Sequence, residues 1–172
     1  MNVLNTAELE ELLDKEEITG LKLCSMYKNA GYSQFRMGKF EEYDLYAGNK
    51  EFLVSEDVIT FTDTNGALMA LKPDVTLSIV KNTRHEAAGL NKYYYNENVY
   101  RKAGPSGSFK EIRQVGLEAL GDVDNACILE VLTLAANSLK SISDDAVIKI
   151  ADQDILTEAV GALNVPGTYY PS

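Results

Sequence analysis

Apolar residues recur at helical spacing in five parts of the chain. The first part opens at Asn5, a residue type that caps helices, with Glu8 three positions later as in a capping box. Gly31 follows the second part and is expected to end it. The spacing predicts helices over residues 5–13, 18–30, 76–84, 124–139 and 154–163.

Runs of β-branched and aromatic residues predict the strands between these helices. The Asn65-Gly66 pair separates two such runs, which is the strongest short signal for a β-hairpin. Extended segments are expected over residues 33–40, 58–63, 67–71, 93–101, 109–120 and 147–151. Strands that return on themselves, with helices between them, predict the α+β class: an antiparallel sheet of about six strands flanked by helices.

Length and charge limit the kinds of partner that this chain can have. Its 172 residues fit one domain, and 45% apolar residues are enough to form a real core. The net charge of −10 repels phosphate backbones, and no basic cluster offsets it, which argues against a nucleic-acid partner without excluding one. No apolar run is long enough to span a bilayer, and the first 14 residues lack a signal-peptide pattern.

The reactive residue types give little sign of metal or disulfide chemistry. Cys24 and Cys127 are far apart in apolar surroundings and are expected to be buried thiols in a cytoplasmic protein. His85 is the only histidine and is expected at a helix end. This excludes a histidine-rich metal site, and it excludes a Ser-His-Asp triad built on any other histidine.

The segment from Gln114 to Glu118 carries the clearest candidate site. Alternate side chains of a strand share a face, so Gln114, Gly116 and Glu118 are expected on one face and Val115 and Leu117 in the core. A glycine inside a strand weakens it and often marks a close approach by a ligand or another backbone. The pattern therefore predicts a shallow polar floor on which a small ligand can lie.

Three residues upstream complete the candidate site. Arg101 ends the strand before the loop at residues 102–108, so a hairpin is expected to bring it beside the floor. Asp74 and Thr76, just after the preceding strand, are expected to form a wall. Carboxylates suit an ammonium or imidazolium group, an arginine suits a carboxylate or phosphate, and amide and hydroxyl groups orient the ligand. The set predicts a site for a zwitterionic amino acid with a polar side chain.

Each of these residues also has an ordinary structural explanation. Asp74 after Pro73 is more often a helix N-cap than a ligand. Gln114 and Glu118 fit a solvated strand face, and Arg101 fits a surface ion pair that contributes little stability. The tyrosines at positions 93–95 fit strand packing, with a role at an interface as the alternative. The hypothesis of a binding site depends on the ordered co-occurrence of the motifs.

Three stretches, taken in order, resemble one family. They are Leu71-Lys72-Pro73-Asp74-Val75-Thr76, the strand that ends at Arg101, and Gln114-Val115-Gly116-Leu117-Glu118-Ala119-Leu120-Gly121. The chain is similar to the class II aminoacyl-tRNA synthetase core of the histidyl type over about residues 31–139. The resemblance implies that Asp74, Thr76, Gln114 and Glu118 hold histidine. It also implies that Arg101 contacts the amino acid carboxylate and the α-phosphate of ATP.

The sequence departs from that family where ATP is handled. Lys72 replaces an arginine, Gly38 stands at the position of the motif 1 proline, and Ser108 and Lys110 replace arginines of the motif 2 loop. Motif 3, the second histidine motif and an anticodon-binding domain do not occur within the 172 residues. No cofactor is expected to be required, and ATP binding would rest on an incomplete set of groups, Arg101 among them.

The sequence keeps the residues that match histidine-binding positions of the family but departs from it at several ATP-binding positions. In this it resembles the regulatory subunit of ATP phosphoribosyltransferase, a paralogue that serves histidine biosynthesis. The resemblance implies a non-catalytic histidine sensor whose partner is the catalytic subunit of that enzyme. It also implies a homodimer that pairs near residues 23–40. The alternatives are a fragment of a histidyl-tRNA synthetase catalytic domain, or a stand-alone domain of this fold that binds a small molecule.

Overall fold

The computed structural model of the chain describes residues 5, 8, 11–49, 58–83, 89–102 and 107–149. The chain divides into two compact units, Met1–Ser138 and Leu139–Ser172, and every described strand belongs to the first. The helices are α1 (Lys15–Asn29), α2 (Asp44–Ala47), α3 (Thr76–Thr83) and α4 (Asn125–Lys140). The strands are β1 (Ser33–Gln34), β2 (Phe40–Glu42), β3 (Thr60–Thr62), β4 (Leu68–Leu71), β5 (Leu90–Lys102) and β6 (Phe109–Gly121).

Capping interactions set the helix starts near the N-terminus. The predicted cap at Asn5 is confirmed, because the Asn5 amide donates to Glu8 at 2.7 Å and the Glu8 amide donates back to Asn5 at 3.0 Å. α1 begins three residues earlier than the apolar spacing predicts. Asp14 and Glu17 form a second capping box, which extends the helix toward the N-terminus. Gly31 follows the C-cap with φ +88°, the left-handed conformation expected of a helix-ending glycine.

The six described strands form two sheets of three. The larger sheet has the order β1-β5-β6, with β1 parallel to β5 and β5 antiparallel to β6 over 13 residue pairs. The smaller sheet is antiparallel, with the order β2-β4-β3. The α+β class is confirmed. The six expected strands are present but divide between two sheets, and β1, which runs parallel to β5, is the exception to the antiparallel pairing among the described strands.

The predicted hairpin between β3 and β4 is confirmed. The Asp63 carboxylate accepts from the amides of Asn65 and Ala67 at 2.8 and 2.9 Å, which fixes the turn. Gly66 has φ +86°, a conformation that a side chain would strain.

Helices cover both faces of the larger sheet. On one face, Leu23 and Tyr27 of α1 and Leu134 of α4 pack with Tyr94, Val115 and Leu117, as predicted for the last two. On the other face, Val75 and Ile79 at α3 pack with Val99. The polar residues Gln114 and Glu118 lie on this second face, which therefore combines an apolar part under α3 with a polar part.

Several expectations concern the C-terminal part of the chain. The prediction of a strand over residues 147–151 is wrong for residues 147–149, the part of it that the structure describes. Residues 147–149 are irregular, and a strand needs a hydrogen-bonded neighbour that they lack among the described residues. The helix over 154–163 and His85 lie outside the described residues. None of the helices described here has the length and apolar character needed to cross a bilayer.

The N-terminal part bears on the expected dimer. Leu23, Tyr27 and Tyr32 are buried in the chain's own core, whereas Phe40 is half exposed. Cys24 and Cys127 are free thiols, with Cys127 buried and Cys24 partly buried. The homodimer near residues 23–40 stays a prediction.

Candidate functional site

The segment between β4 and α3 is pinned at both ends, which fixes the wall of the site. The Lys72 amide donates to the Lys39 carbonyl at 3.1 Å, and the Lys72 carbonyl accepts from the Tyr100 amide at 2.9 Å. Pro73 then ends the strand. Asp74 caps α3, since its Oδ1 accepts from the Leu77 amide at 3.1 Å. The structural role considered for Asp74 in the sequence is therefore present.

Asp74 also holds Arg101. The guanidinium Nη2 of Arg101 donates to Asp74 Oδ2 at 3.2 Å, and its Nε donates to the Pro73 carbonyl at 2.6 Å. Both side chains are mostly buried, with 19% and 16% of their surface exposed. This ion pair is partly shielded from solvent, and it leaves the Nη1 side of the guanidinium for another acceptor.

Glu118 forms a second pair with Thr76. The Thr76 hydroxyl donates to Glu118 Oε1 at 2.7 Å. Burial raises the pKa of Glu118, the charge of Asp74 raises it further, and the hydrogen bond from Thr76 opposes this increase. No described cation bonds to Glu118. The site therefore contains a half-buried carboxylate that has a hydroxyl partner but no described positive partner.

Tyr95 lies over the bare stretch of β6. It is directly opposite Gly116, and a Cβ at Gly116 would fall 2.5 Å from the Tyr95 Oη. Burial raises the pKa of Tyr95 to about 12, with further increases from Glu118 and Asp74 and an opposing effect from Arg101. The ring is thus a neutral phenol at pH 7, and it is surrounded by the charged groups of the site.

This position of Tyr95 corrects the expectation of an open floor. The heavy atoms nearest to a Cβ at Gly116 belong to the Tyr95 side chain of the neighbouring strand. Tyr95 is the residue of the site that the sequence reasoning missed, because it was assigned to strand packing. A signal was available in principle, since Tyr95 and Arg101 are both odd-numbered residues of one strand and share a face.

The register also corrects the expected place of Arg101. Gln114 is opposite Glu97, whereas Arg101 is opposite Lys110, four residues further along β5. That offset corresponds to about 13 Å at ~3.3 Å per residue. The Arg101 backbone is therefore not beside the floor. Its side chain joins the site by its hydrogen bonds to the Pro73 carbonyl and the Asp74 carboxylate. Gln114 shares the face but forms no hydrogen bond to the other four predicted residues.

Replacing Gly116 by alanine tests the contact with Tyr95. Overpacking of this kind is expected to cost about 1–3 kcal/mol in the free energy of unfolding, measured in urea. Gly38→Ala is the matched control, because its Cβ would meet only ordinary contact at 3.5 Å. In a Tyr95→Leu background the cost of Gly116→Ala should shrink. An equal cost in both backgrounds would contradict the contact.

A buried ion pair holds Lys72, the first residue of the segment between β4 and α3. The Lys72 ammonium donates to Glu97 Oε2 at 2.9 Å, with 1% of the Lys72 side chain exposed. Lys72, which directly follows β4, therefore links this part of the chain to β5 through Glu97. Within the described residues, no group of three or more histidine, cysteine or acidic side chains is arranged to hold a metal ion.

The family of the chain follows from comparison with known proteins. The family model described as histidyl-tRNA synthetase matches residues 8–169. The chain belongs to the histidyl-tRNA synthetase family. A histidine–tRNA ligase of Methanocaldococcus jannaschii is 29% identical over 161 residues, which cover 91% of this chain and 39% of that protein.

Relatives in this family carry two different names. An ATP phosphoribosyltransferase regulatory subunit of Ruminiclostridium cellulolyticum is 28% identical over 138 residues, which cover 77% of this chain and 32% of that protein. Apo histidyl-tRNA synthetase of S. aureus has the same fold, with a TM-score of 0.60 and 20% identity over 82% of this chain and 33% of that one. The chain spans between three and four tenths of the length of these proteins.

Proposed function

We propose that Asp74, Thr76, Arg101, Gln114 and Glu118 form a histidine-binding site. The observation that carries the proposal is Glu118, a half-buried carboxylate with a raised pKa and no described cation bonded to it. Burial of an unpaired carboxylate is unfavourable, so a ligand with an ammonium or imidazolium group would relieve that cost. Histidine supplies such a cation.

The remaining groups fit the rest of the ligand. Arg101 is held by Asp74 and the Pro73 carbonyl through Nε and Nη2, so Nη1 is the nitrogen that would bind the carboxylate of a ligand. Gln114 offers both a donor and an acceptor on the same strand face as Glu118. For the ligand to reach Gly116, the Tyr95 ring would have to move from its present position.

We infer further that the protein acts as a non-catalytic histidine sensor that regulates ATP phosphoribosyltransferase through its catalytic subunit. The relative from R. cellulolyticum bears that regulatory name. Ser108 and Lys110 at positions that match arginines of motif 2 also support this role: Ser108 carries no positive charge, and Lys110 replaces a forked guanidinium with a single point charge. Fixed cations that hold developing phosphate charge are worth several kcal/mol of activation barrier, and their loss removes useful catalysis.

The second candidate is a part of a histidine–tRNA ligase that activates histidine with ATP. The relative from M. jannaschii, which matches 91% of the chain, bears that name. The pairing of β5 with β6 also favours it, because Arg101 and Lys110 lie directly opposite each other on one face. Like charges in that arrangement repel, and a bound phosphate between them would relieve the repulsion. ATP would be the substrate held there.

Histidine binding is testable with a ligand that lacks one group. Histamine keeps the ring and the amine but has no carboxylate, so it should bind about tenfold more weakly than histidine in calorimetric titration. Arg101→Ala should remove most of this difference. Arg36→Ala is the control, because Arg36 lies outside the site, and it should preserve the difference. Equal affinity of the unaltered chain for both ligands would contradict the role of Arg101.

Adenylate formation separates the two candidate functions. With ATP, Mg²⁺ and histidine, the 172-residue chain is expected to form no histidyl-adenylate above the background of heat-treated protein. The reason is that each tenfold loss in rate needs only about 1.4 kcal/mol of lost stabilisation, and several phosphate contacts are replaced. Mass spectrometry of the quenched reaction is the measurement. A time-dependent adenylate signal would overturn the regulatory proposal and support the ligase.

A further inference from the structure

A polar cavity lies along the edge of β5, beyond the point where β1 stops pairing with it. β1 pairs with β5 only as far as Tyr94, whose carbonyl accepts from the Phe35 amide at 2.8 Å. The next contact on this edge is the Tyr100 amide, which donates to the Lys72 carbonyl. Between them is a cavity of about 200 Å³. It is lined by Lys39, Lys72, Asn96, Glu97, Asn98 and Arg113.

The edge of β5 in this gap presents unused backbone donors. In an antiparallel pair, successive residues direct their N–H groups to opposite sides of the strand. Tyr94 and Tyr100 both bond away from β6, so Asn96 and Asn98, with the same parity, do so too. No described residue accepts a hydrogen bond from either of these two amides. A sheet edge of this kind is ready to bind an acceptor.

Positive charge dominates the lining. Three cations and one carboxylate surround the cavity in a chain whose net charge is −10. The carboxylate, Glu97, is already paired with Lys72. Arg113 donates its Nε to Asn96 at 3.1 Å, which leaves its two Nη groups, and the Lys39 side chain has no described hydrogen-bond partner. Glu111 borders the cavity: Asn98 and Tyr100 donate to its carboxylate, and the charge of Lys39 also lowers the pKa of Glu111.

We propose that this cavity binds a small oxyanion, a phosphate or carboxylate group carried by a small molecule. Lys39 and Arg113 supply the exposed charges, and the amides of Asn96 and Asn98 supply fixed donors. The cavity volume is below the ~300–1,000 Å³ typical of sites for drug-sized ligands, so the ligand is small. None of the five proposed histidine-binding residues lines the cavity, and this proposal does not depend on the proposed function.

Titrating the 15N-labelled chain with sodium phosphate, and separately with sodium succinate, tests this site by NMR. Sodium chloride of equal ionic strength is the reference. The amide signals of Asn96 and Asn98 should shift saturably. Saturation with phosphate alone assigns a phosphate ligand, and saturation with succinate alone assigns a carboxylate ligand. Shifts that match the chloride reference in both series would overturn the proposal.

Variants separate the cavity from general attraction to positive charge. Lys39→Gln and Arg113→Gln should each weaken binding about fivefold, the usual worth of one exposed charge contact. Lys22→Gln, on the exposed surface of α1, removes the same charge elsewhere and should leave the affinity unchanged. Lys110→Gln removes a charge beside Arg101, at the candidate ATP position. It should also leave the affinity unchanged, which would show that the anion is not bound at that position. Equal weakening by all four variants would overturn the proposal. Lys39→Gln keeps the test valid if Arg113→Gln fails to fold.

Discussion

Glu118→Ala should weaken histidine binding by about tenfold or more, because it removes the carboxylate that the ligand's cation would neutralise. Calorimetric titration at pH 7 measures the loss. Glu42→Ala is the matched control, since Glu42 is an exposed strand glutamate of the smaller sheet. Equal affinities of the Glu118→Ala variant and the unaltered chain would end the histidine-binding proposal.

Removing the charge of Glu118 should weaken ligand binding but stabilise the unliganded fold. Burial raises the pKa of Glu118, so the folded chain holds this proton more tightly than the unfolded chain. Stability therefore falls as the pH rises from the ordinary pKa of a glutamate through the raised value. Glu118→Gln keeps an acceptor for the Thr76 hydroxyl but carries no charge. It should raise Tm at pH 7 by about 2–4 °C, the shift that 1 kcal/mol gives in a chain of this size.

The pH dependence provides the internal check. Below the ordinary pKa of glutamate, Glu118 is protonated in both states, and the difference in Tm between the variant and the unaltered chain should disappear. Thermal unfolding followed by circular dichroism at several pH values measures both ends. A lower Tm for Glu118→Gln at pH 7 would mean that the charge of Glu118 stabilises the unliganded fold, contrary to its raised pKa.

The largest loss of stability is expected from Glu97→Ala. The substitution leaves the Lys72 ammonium buried without its partner, and breaking a buried pair in this way typically costs about 3–5 kcal/mol. Urea unfolding measures the loss. The double variant Glu97→Leu with Lys72→Met removes both charges and should recover most of it, since apolar residues of similar volume can replace a buried pair.

The pair between Lys81 and Glu41 is the natural comparison. Its nitrogen–oxygen distance is 2.8 Å, nearly the same as the 2.9 Å between Lys72 and Glu97, but 43% of the Lys81 side chain is exposed. Lys81→Met should therefore cost no more than about 1 kcal/mol. Equal costs for Lys81→Met and Glu97→Ala would show that burial of Lys72 does not govern the stability of this segment.

Local patterns in the sequence were enough to predict most elements of the first unit. The Asn65-Gly66 turn, the two long strands around residues 102–108 and the shared face of Gln114, Gly116 and Glu118 all follow from turn chemistry and a period of two. These features depend on neighbours in the chain, and they need no knowledge of tertiary contacts. The capping box at Asp14 was equally local, but the apolar spacing that marked the helix begins after it.

Features that depend on pairing between distant strands could not be read in the same way. A period of two gives the face of Gly116 but not the residue of β5 that lies opposite, because the register depends on where the hairpin closes. Without that register, neither Tyr95 over Gly116 nor Arg101 opposite Lys110 could be placed. The split into two sheets had the same cause, since β1 and β2 are short and their partners lie far along the chain.

The parallel pairing of β1 with β5 sets an order for folding during synthesis. Ser33 pairs with Tyr93, 60 residues later, and β5 in turn needs β6, which ends at Gly121. At about 5–20 residues per second, a ribosome takes roughly 3–12 s to produce the partner of β1 after β1 itself. During that interval the tyrosines of the emerging N-terminal segment have no β5 to cover them. Burial of these side chains against β5 therefore has to wait until the middle of the sequence has been synthesised.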